Sequence, residues 1–511
     1  MPVRVATAAL LGIDAFPVEL EVDLARQGLP SFAMVGLAEG AVRESKERVL
    51  AALKNSGFKL PAARITVNLA PADMRKEGSA YDLPLAAALL AAAGVLPPGA
   101  AEGLFLAGEL SLAGEVKPVP GILSMAVRAR EMGARGILVP RDNAREAAVV
   151  RDLPVYGLTT LSEAVEFLNG QLSLSPEPLP ETDPGPVPGD FLVDFSEVKG
   201  QQHAKRAVEI AAAGGHNLLF VGPPGSGKTM LAKRIPTVLP PLRFDEALEV
   251  TKIYSVAGQL PRQAALVEDR PFRSPHHTIS DAGLIGGGSH PRPGEVSMAH
   301  KGVLFLDELP EFKKSVLEVL RQPLEDGKVT IARAAMSLTY PADFMLVAAL
   351  NPCPCGYLGD PRHECTCTPP QVQRYRSRLS GPLLDRIDLQ VEVPAVPYKE
   401  LRQEASAVDS AAMRGRVLAA RDRQAARYAG AAIHVNAELT GSRLSACCRI
   451  DDEGHRFLEG AVRRLGLSAR SHTRILRIAR TIADLDGDAG IKVEHLAEAV
   501  NLRGLDRQRE A

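Results

Sequence analysis

The octapeptide Gly222-Pro-Pro-Gly-Ser-Gly-Lys-Thr229 constrains this chain more than any other feature. It matches G-x-x-x-x-G-K-[ST], and its flanks suit that reading. Leu218-Leu-Phe-Val221 before it is an apolar run of strand length, and Met230-Leu-Ala-Lys-Arg234 after it opens a helical pattern. Such a loop wraps phosphates with successive backbone N–H groups at the start of a helix, where the dipole favours anions. Gly222, Pro223, Pro224, Gly225, Ser226 and Gly227 are therefore expected to cradle ATP. Lys228 would neutralise the β- and γ-phosphates, and the Thr229 hydroxyl would ligate Mg²⁺.

Four further segments complete an ATP-hydrolysing set. Val303-Leu-Phe-Leu-Asp307-Glu308 is an apolar strand ending in two acids, which places them at the carboxyl edge of an α/β sheet where ligands bind. Asp307 is expected on Mg²⁺ and Glu308 on the attacking water; helix capping is the plainer reading of the two acids. Phe344-Met-Leu-Val-Ala-Ala-Leu350 is a third apolar strand, and Asn351 at its end would sense the γ-phosphate or simply make a turn. Arg386, in Gly381-Pro-Leu-Leu-Asp-Arg-Ile-Asp-Leu389, is the candidate for an arginine donated to a neighbouring subunit's nucleotide. Arg374, Arg376 and Arg378 are rivals, and a surface salt bridge with Asp385 or Asp388 is the alternative. In and beside the segment 471–484, Ile475, Ile478, Ile482 and Leu485 share one helix face, and Arg470, Arg474 and Arg477 the other. Arg474 is the candidate to reach a γ-phosphate from a helical lid.

At 511 residues the chain exceeds one core. Its organisation reads as an α/β domain over 1–170, a proline-rich linker over 171–190, an α/β ATPase core over 191–395 and a helical lid over 396–511. Six prolines between 171 and 190 remove the donors that regular structure needs. Within the first domain, 64–69 reads as a strand, 83–96 as a buried helix, 104–112 as a strand pair, 122–132 as a helix and 136–139 as a strand. No apolar run approaches the roughly 20 residues of a membrane crossing, and the N-terminus has no signal-peptide pattern, so the cytoplasm is the expected location. A net charge of −1 gives no hint of a polyanion, and 4% aromatic content argues against recognition dominated by base stacking.

Cys353-x-Cys355 and Cys365-x-Cys367 put four of six cysteines within fifteen residues, with His363 beside them. Two close pairs on a loop suit a structural Zn²⁺ site that braces the ATPase loop; free thiols are the alternative. Cys447-Cys448 reads as buried small apolar residues. His276 and His277 receive no role.

These motifs, in this order, resemble the helix-2-insert branch of AAA+ ATPases. The likeness tightens in Ser274-Pro-His-His-Thr-Ile-Ser280, Gly286-Gly-Gly288, Val303-Leu-Phe-Leu-Asp-Glu-Leu-Pro-Glu-Phe312, Asn351-Pro-Cys-Pro-Cys-Gly356 and Ser380-Gly-Pro-Leu-Leu-Asp-Arg-Ile-Asp-Leu389. Together they are similar to the magnesium-chelatase-like ComM/YifB family of bacteria, over nearly the whole chain. The resemblance implies a homohexameric DNA motor that migrates branched DNA when incoming single strands recombine during natural transformation. It makes two inserts DNA-facing: the alternating segment 327–340, with Lys328 and Arg333 on phosphate, and the glycine tip at 284–288. A motor that remodels a protein partner, as in magnesium-chelatase-type metal insertion, is the alternative function. The segments 108–124 and 136–143 resemble the S5-type fold of the Lon protease domain. Its lysine position is Leu123 here, and Ser79 lacks the nucleophile's glycine frame, so no proteolysis is expected.

Overall fold

The computed structural model describes residues 2–27, 29–37, 40–180, 193–261, 264–288, 291–333, 336–397, 400 and 408–503. Residues 181–192 of the proline-rich stretch therefore lie outside the described residues.

The N-terminal domain is a seven-stranded mixed sheet. Its order is Ser31–Val35, Arg64–Ala70, Asp14–Ala25, Val3–Leu11, Leu104–Leu106, Gly136–Pro140 and Val155–Leu158. Val3–Leu11 and Asp14–Ala25 form a hairpin whose register closes at Leu11 opposite Asp14. Gly12 takes the left-handed conformation that this two-residue turn requires. One sheet face is covered by Gly40–Asn55 and the alanine-rich helix Asp82–Ala93, the other by Ile122–Glu131 and Arg141–Ala147. Helix Asp82–Ala93 stops at a left-handed Gly94 instead of running to residue 96. The expected strand pair at 104–112 divides: Leu104–Leu106 joins the main sheet, while Glu109–Leu110 pairs separately with Val116–Lys117. The chain turns away between them because Gly108 N–H donates to Ala80 O rather than along the sheet.

The second sheet is parallel throughout, in the order Phe272–Arg273, Val303–Leu306, Met345–Leu350, Leu218–Val221 and Leu389–Glu392. Its three central strands are buried along their whole length, as continuous apolar runs in a doubly covered sheet should be. Five C-terminal helices follow among the described residues: Ser410–Arg427, Gly441–Cys447, Asp452–Leu465, Ala469–Asp486 and Val493–Asn501. They do not own a core. One apolar cluster runs from Val208 and Ala211 of helix Gln202–Gly214 through Val347 and Val391 of the sheet to Ile475, Ile478 and Ile482. Cys448 is buried against this cluster and Cys447 packs on it. Asp451 caps helix Asp452–Leu465 by accepting from Gly454 N–H at 2.8 Å.

The N-terminal domain is seated on the domain of the second sheet through helix Phe244–Ala257. Gly121 N–H reaches both the backbone oxygen and the Oγ of Ser255 at 3.1 Å. Lys252 pairs with Asp14 at 3.0 Å, and Leu248 and Leu266 pack into the domain's second apolar cluster. No helix among the described residues is long and apolar enough to cross a membrane.

Candidate ATPase site

The octapeptide lies between strand Leu218–Val221 and helix Lys228–Arg234, with Gly225 and Gly227 both at positive φ. That conformation lets the loop close tightly, and glycine adopts it at little steric cost. Lys228 is folded back over the loop: its Nζ donates to Gly222 O at 2.7 Å, Pro223 O at 2.9 Å and Asn351 Oδ1 at 3.1 Å. Burial pushes its ammonium below the usual lysine range, against the pull of Asp307 and Glu308.

Strands Met345–Leu350 and Val303–Leu306 run parallel to the phosphate-loop strand, so Asn351 and Asp307 emerge at the same carboxyl edge. Thr229 Oγ1 donates to Asp307 Oδ2 at 2.6 Å. A hydroxyl and a carboxylate in contact beside a phosphate loop are hard oxygen donors of the kind Mg²⁺ takes. Glu308 follows with φ of 51°, a left-handed backbone that few non-glycine residues hold. Its carboxylate faces His277 Nδ1 at 3.6 Å, and the His277 ring lies 4.1 Å from that of His276. Sequence reasoning left both histidines without a place; the structure puts His277 next to the second acid.

A second subsite escaped the sequence reading. Gln201 Nε2 donates to Pro394 O at 2.6 Å and reaches Ser226 O at 3.4 Å, joining the phosphate loop to the exit of the last strand. It borders a cavity of about 650 Å³, lined also by Gly200, His203 and Val396, which is large enough for a nucleoside. The only local signal is Gly200, whose positive φ is followed by another at Gln201.

Arg386 and Arg474 lie at the opposite, amino edge of the sheet. The Arg386 backbone oxygen accepts from Asn217 Nδ2 at 2.9 Å, and Asn217 immediately precedes strand Leu218–Val221. That strand separates the two edges by about 13 Å. Arg386 donates to Pro382 O at 2.6 Å and pairs with Glu325, while its buried Nε finds no partner among the described residues. Arg474 lies 3.6 Å from Asp388 and 3.4 Å from Ile387 O. On helix Ala469–Asp486, Arg470 is exposed while Arg474 and Arg477 are half-buried, Arg477 donating to Leu439 O at 2.7 Å. A cavity of about 1220 Å³ opens here, lined by Arg386, Arg470, Arg474, Arg477, Asp388 and Lys328. The structure does not bring Arg474 to the chain's own phosphate loop. The rivals sit elsewhere: Arg378 pairs with Glu311 at 3.1 Å, Arg376 reaches Pro352 O at 3.4 Å, and Arg374 is exposed.

Burial opposes ionisation of Asp388. The His216 hydrogen bond, with Arg474 and Arg477, outweighs it and holds the carboxyl at about 2.

The segment 327–340 is a hairpin, Lys328–Arg333 against Met336–Pro341. Lys328 stands at its root, opposite Pro341, and not at its tip. The Arg333 side chain lies outside the described residues. Gly286–Gly287 pairs with Arg292–Pro293, closing a small ribbon after the short helix Asp281–Ile285.

Cys353, Cys355, Cys365 and Cys367 converge, their four Sγ atoms within 4.8 Å of one another. His363 lies against Tyr357 instead, ring centroids 4.7 Å apart. In the N-terminal domain, Leu123 is fully buried and Ser79 Oγ donates to Glu109. Lys76 is buried and donates to Gly36 O and Pro71 O. Ser79 and Lys76 thus bond to different partners.

Comparison with known proteins adds three family matches. "Magnesium chelatase, subunit ChlI" matches residues 194–401, "Subunit ChlI of Mg-chelatase" 20–143, and "Magnesium chelatase, subunit ChlI C-terminal" 407–503. The chain is 45% identical over 504 residues to the uncharacterized protein YifB of Salmonella typhimurium, covering 98% of this chain and 97% of that one. It is 45% identical over 507 residues, with the same coverage, to the competence protein ComM of Haemophilus influenzae. Similarity to the magnesium-chelatase 67 kDa subunit of Chlorobaculum tepidum is 30% over 165 residues, 32% of this chain and 24% of that one.

Proposed function

Because the chain belongs to the ComM/YifB family of magnesium-chelatase-like AAA+ proteins, we propose that it is an ATP-driven ring motor acting on DNA. In this reading it drives branch migration of recombination intermediates during natural transformation. The observation that carries the motor is the division of the ATPase residues between two sheet edges. Lys228, Thr229, Asp307, Glu308 and Asn351 gather at one edge, while Arg386 and Arg474 stand at the other. An arginine at the opposite end of the sheet from its own phosphate loop is placed to serve a nucleotide across a subunit boundary. Head-to-tail contacts of that kind close into a ring when the rotation permits, and the family resemblance makes that ring a homohexamer.

Within one site, Lys228 and the loop amides bind the phosphates, and Gln201 borders the base. Thr229 and Asp307 would hold Mg²⁺, which neutralises charge on the β- and γ-phosphates. Glu308 orients the attacking water, and Asn351 sets Lys228 against the γ-phosphate. Arg386, with Arg474 beside it, stabilises charge on the transferring group of the neighbouring subunit. The cysteine cluster holds a structural Zn²⁺. DNA passes the hairpin bearing Lys328 and Arg333, and the protein works in the cytoplasm.

The test is ATP hydrolysis with no DNA, single-stranded DNA, duplex and a four-way junction. Stimulation by single-stranded or branched DNA, absent in Lys228→Ala, supports the motor on DNA. Hydrolysis indifferent to all DNA would sink it and favour a motor that remodels a protein partner.

A further inference from the structure

The segment 351–367 leaves strand Met345–Leu350, carries the four cysteines and returns to helix Pro369–Arg376 with no helix or strand of its own. Most of it is exposed or half-buried, and only Cys353 and Gly356 are buried, so no apolar core fixes its shape. Ordering such a loop costs conformational entropy that a cross-link can offset.

The sulfur positions say which cross-link fits. Cys353 Sγ is 3.3 Å from Cys355 Sγ and 3.6 Å from Cys365 Sγ, and Cys355 Sγ is 3.6 Å from Cys365 Sγ. Cys355 N–H donates to Cys367 Sγ at 3.3 Å, closing the fourth corner. A disulfide would need about 2.05 Å. A tetrahedral metal with bonds of about 2.3 Å sets sulfurs about 3.8 Å apart, close to what is seen. The set is all thiolate, which selects Zn²⁺ or iron over Mg²⁺.

The cluster also has two handles on the nucleotide site. Gly356 sits at φ of 88°, and a Cβ there would fall 2.6 Å from Pro224 Cδ and 2.8 Å from its Cγ. The loop backbone therefore presses directly on the proline ring of the phosphate loop. Two residues before Cys353, Asn351 accepts from Lys228. One handle sets the turn that wraps the phosphates and the other sets the lysine that neutralises them.

From this juxtaposition we propose that metal occupancy of the Cys353, Cys355, Cys365 and Cys367 cluster sets the shape of the phosphate loop and thereby the affinity for ATP. The cluster is then a metal-dependent brace that makes nucleotide binding conditional on a loaded site. The inference rests on the ATP-site reading above but not on the action on DNA.

The experiment uses the full chain expressed with zinc supplied, and measures metal content and the binding of a fluorescent ATP analogue. Four samples are compared: the loaded protein, protein stripped by a mercurial with chelator, Cys365→Ser with Cys367→Ser, and Gly356→Ala. The loaded protein should hold one tetrahedral metal ion per chain. Stripping, or loss of the two cysteines, should weaken nucleotide binding about tenfold or more, and excess thiol to remove the mercurial followed by Zn²⁺ should restore the stripped protein. Gly356→Ala should keep its metal and its circular dichroism yet bind the analogue about tenfold more weakly, because the added methyl displaces Pro224. That variant separates a shifted phosphate loop from a chain that failed to fold. A loaded protein without bound metal would overturn the site, and unchanged affinity after stripping would overturn the coupling. Loaded protein that binds no nucleotide would instead overturn the ATP-site reading beneath it.

Discussion

The Thr229 hydroxyl donates to Asp307 Oδ2 across 2.6 Å, linking the phosphate loop to a strand two places away in the sheet. The contact fixes both oxygens where a divalent cation would meet ATP. Asp307→Asn keeps the shape but removes the charge, so it should abolish Mg²⁺-dependent hydrolysis by about 10²-fold or more while the fold persists. Steady-state phosphate release with a circular dichroism control checks this.

Arg386 should act on another subunit's nucleotide. Arg386→Ala is expected to lower kcat by about 10³-fold with little change in ATP binding, since the phosphate loop is untouched. Mixing Arg386→Ala with Lys228→Ala should then recover hydrolysis that neither protein has alone. Failure of the mixture to recover any would place Arg386 outside the reaction.

Asp388 links pH to stability. Its folded value, about 2, lies below the ordinary 3.8, so its contribution is present above pH 4 and is lost as pH falls through 2. The shift corresponds to about 2 kcal/mol. Asp388→Asn should cost roughly that much at pH 7, and the difference from the parent in denaturant melts should shrink between pH 4 and 2.

Asp484 is fully buried between Arg480, at 3.0 Å, and Arg427. Asp484→Ala leaves two guanidinium groups without their carboxylate and should destabilise the helical domain by about 3–5 kcal/mol. Hydrogen exchange of helix Ala469–Asp486 would report it. Intact protection there would mean that the arginines find other partners.

In the N-terminal domain, Leu123→Lys restores the residue type of a Lon-like base but buries an unpaired ammonium in an apolar core. The variant should lose stability by several kcal/mol and still fail to cleave casein.

How much of the site was legible followed from how local each signal is. The phosphate loop, the Asp307 and Asn351 strand ends and the cysteine pairs each carry their chemistry within a few residues, flanked by apolar runs that reveal the strands. Gln201 and His277 carried no such signal. Gln201 matters because the chain after Val393 returns to it, and His277 because its side chain comes within 3.6 Å of Glu308. The boundaries expected at 171–190 and at 395–396 rest on composition and period alone. The tail helices bury their isoleucines in the same cluster as the sheet.

The sequence by itself determined the kind of chemistry and the kinds of element. A glycine-rich turn, strand-terminal acids and helical periodicity follow from short-range sterics and hydrophobic patterning. Only the tertiary structure decided the sides. Parallel pairing sends Lys228, Asp307 and Asn351 to one edge and leaves Arg386 and Arg474 at the other. That allocation depends on strand order and on the burial of helix Ala469–Asp486 against helix Gln202–Gly214, contacts between residues hundreds of positions apart. No local pattern encodes them, because the apolar surfaces that meet are chemically alike and their pairing is chosen by the packing of the whole chain.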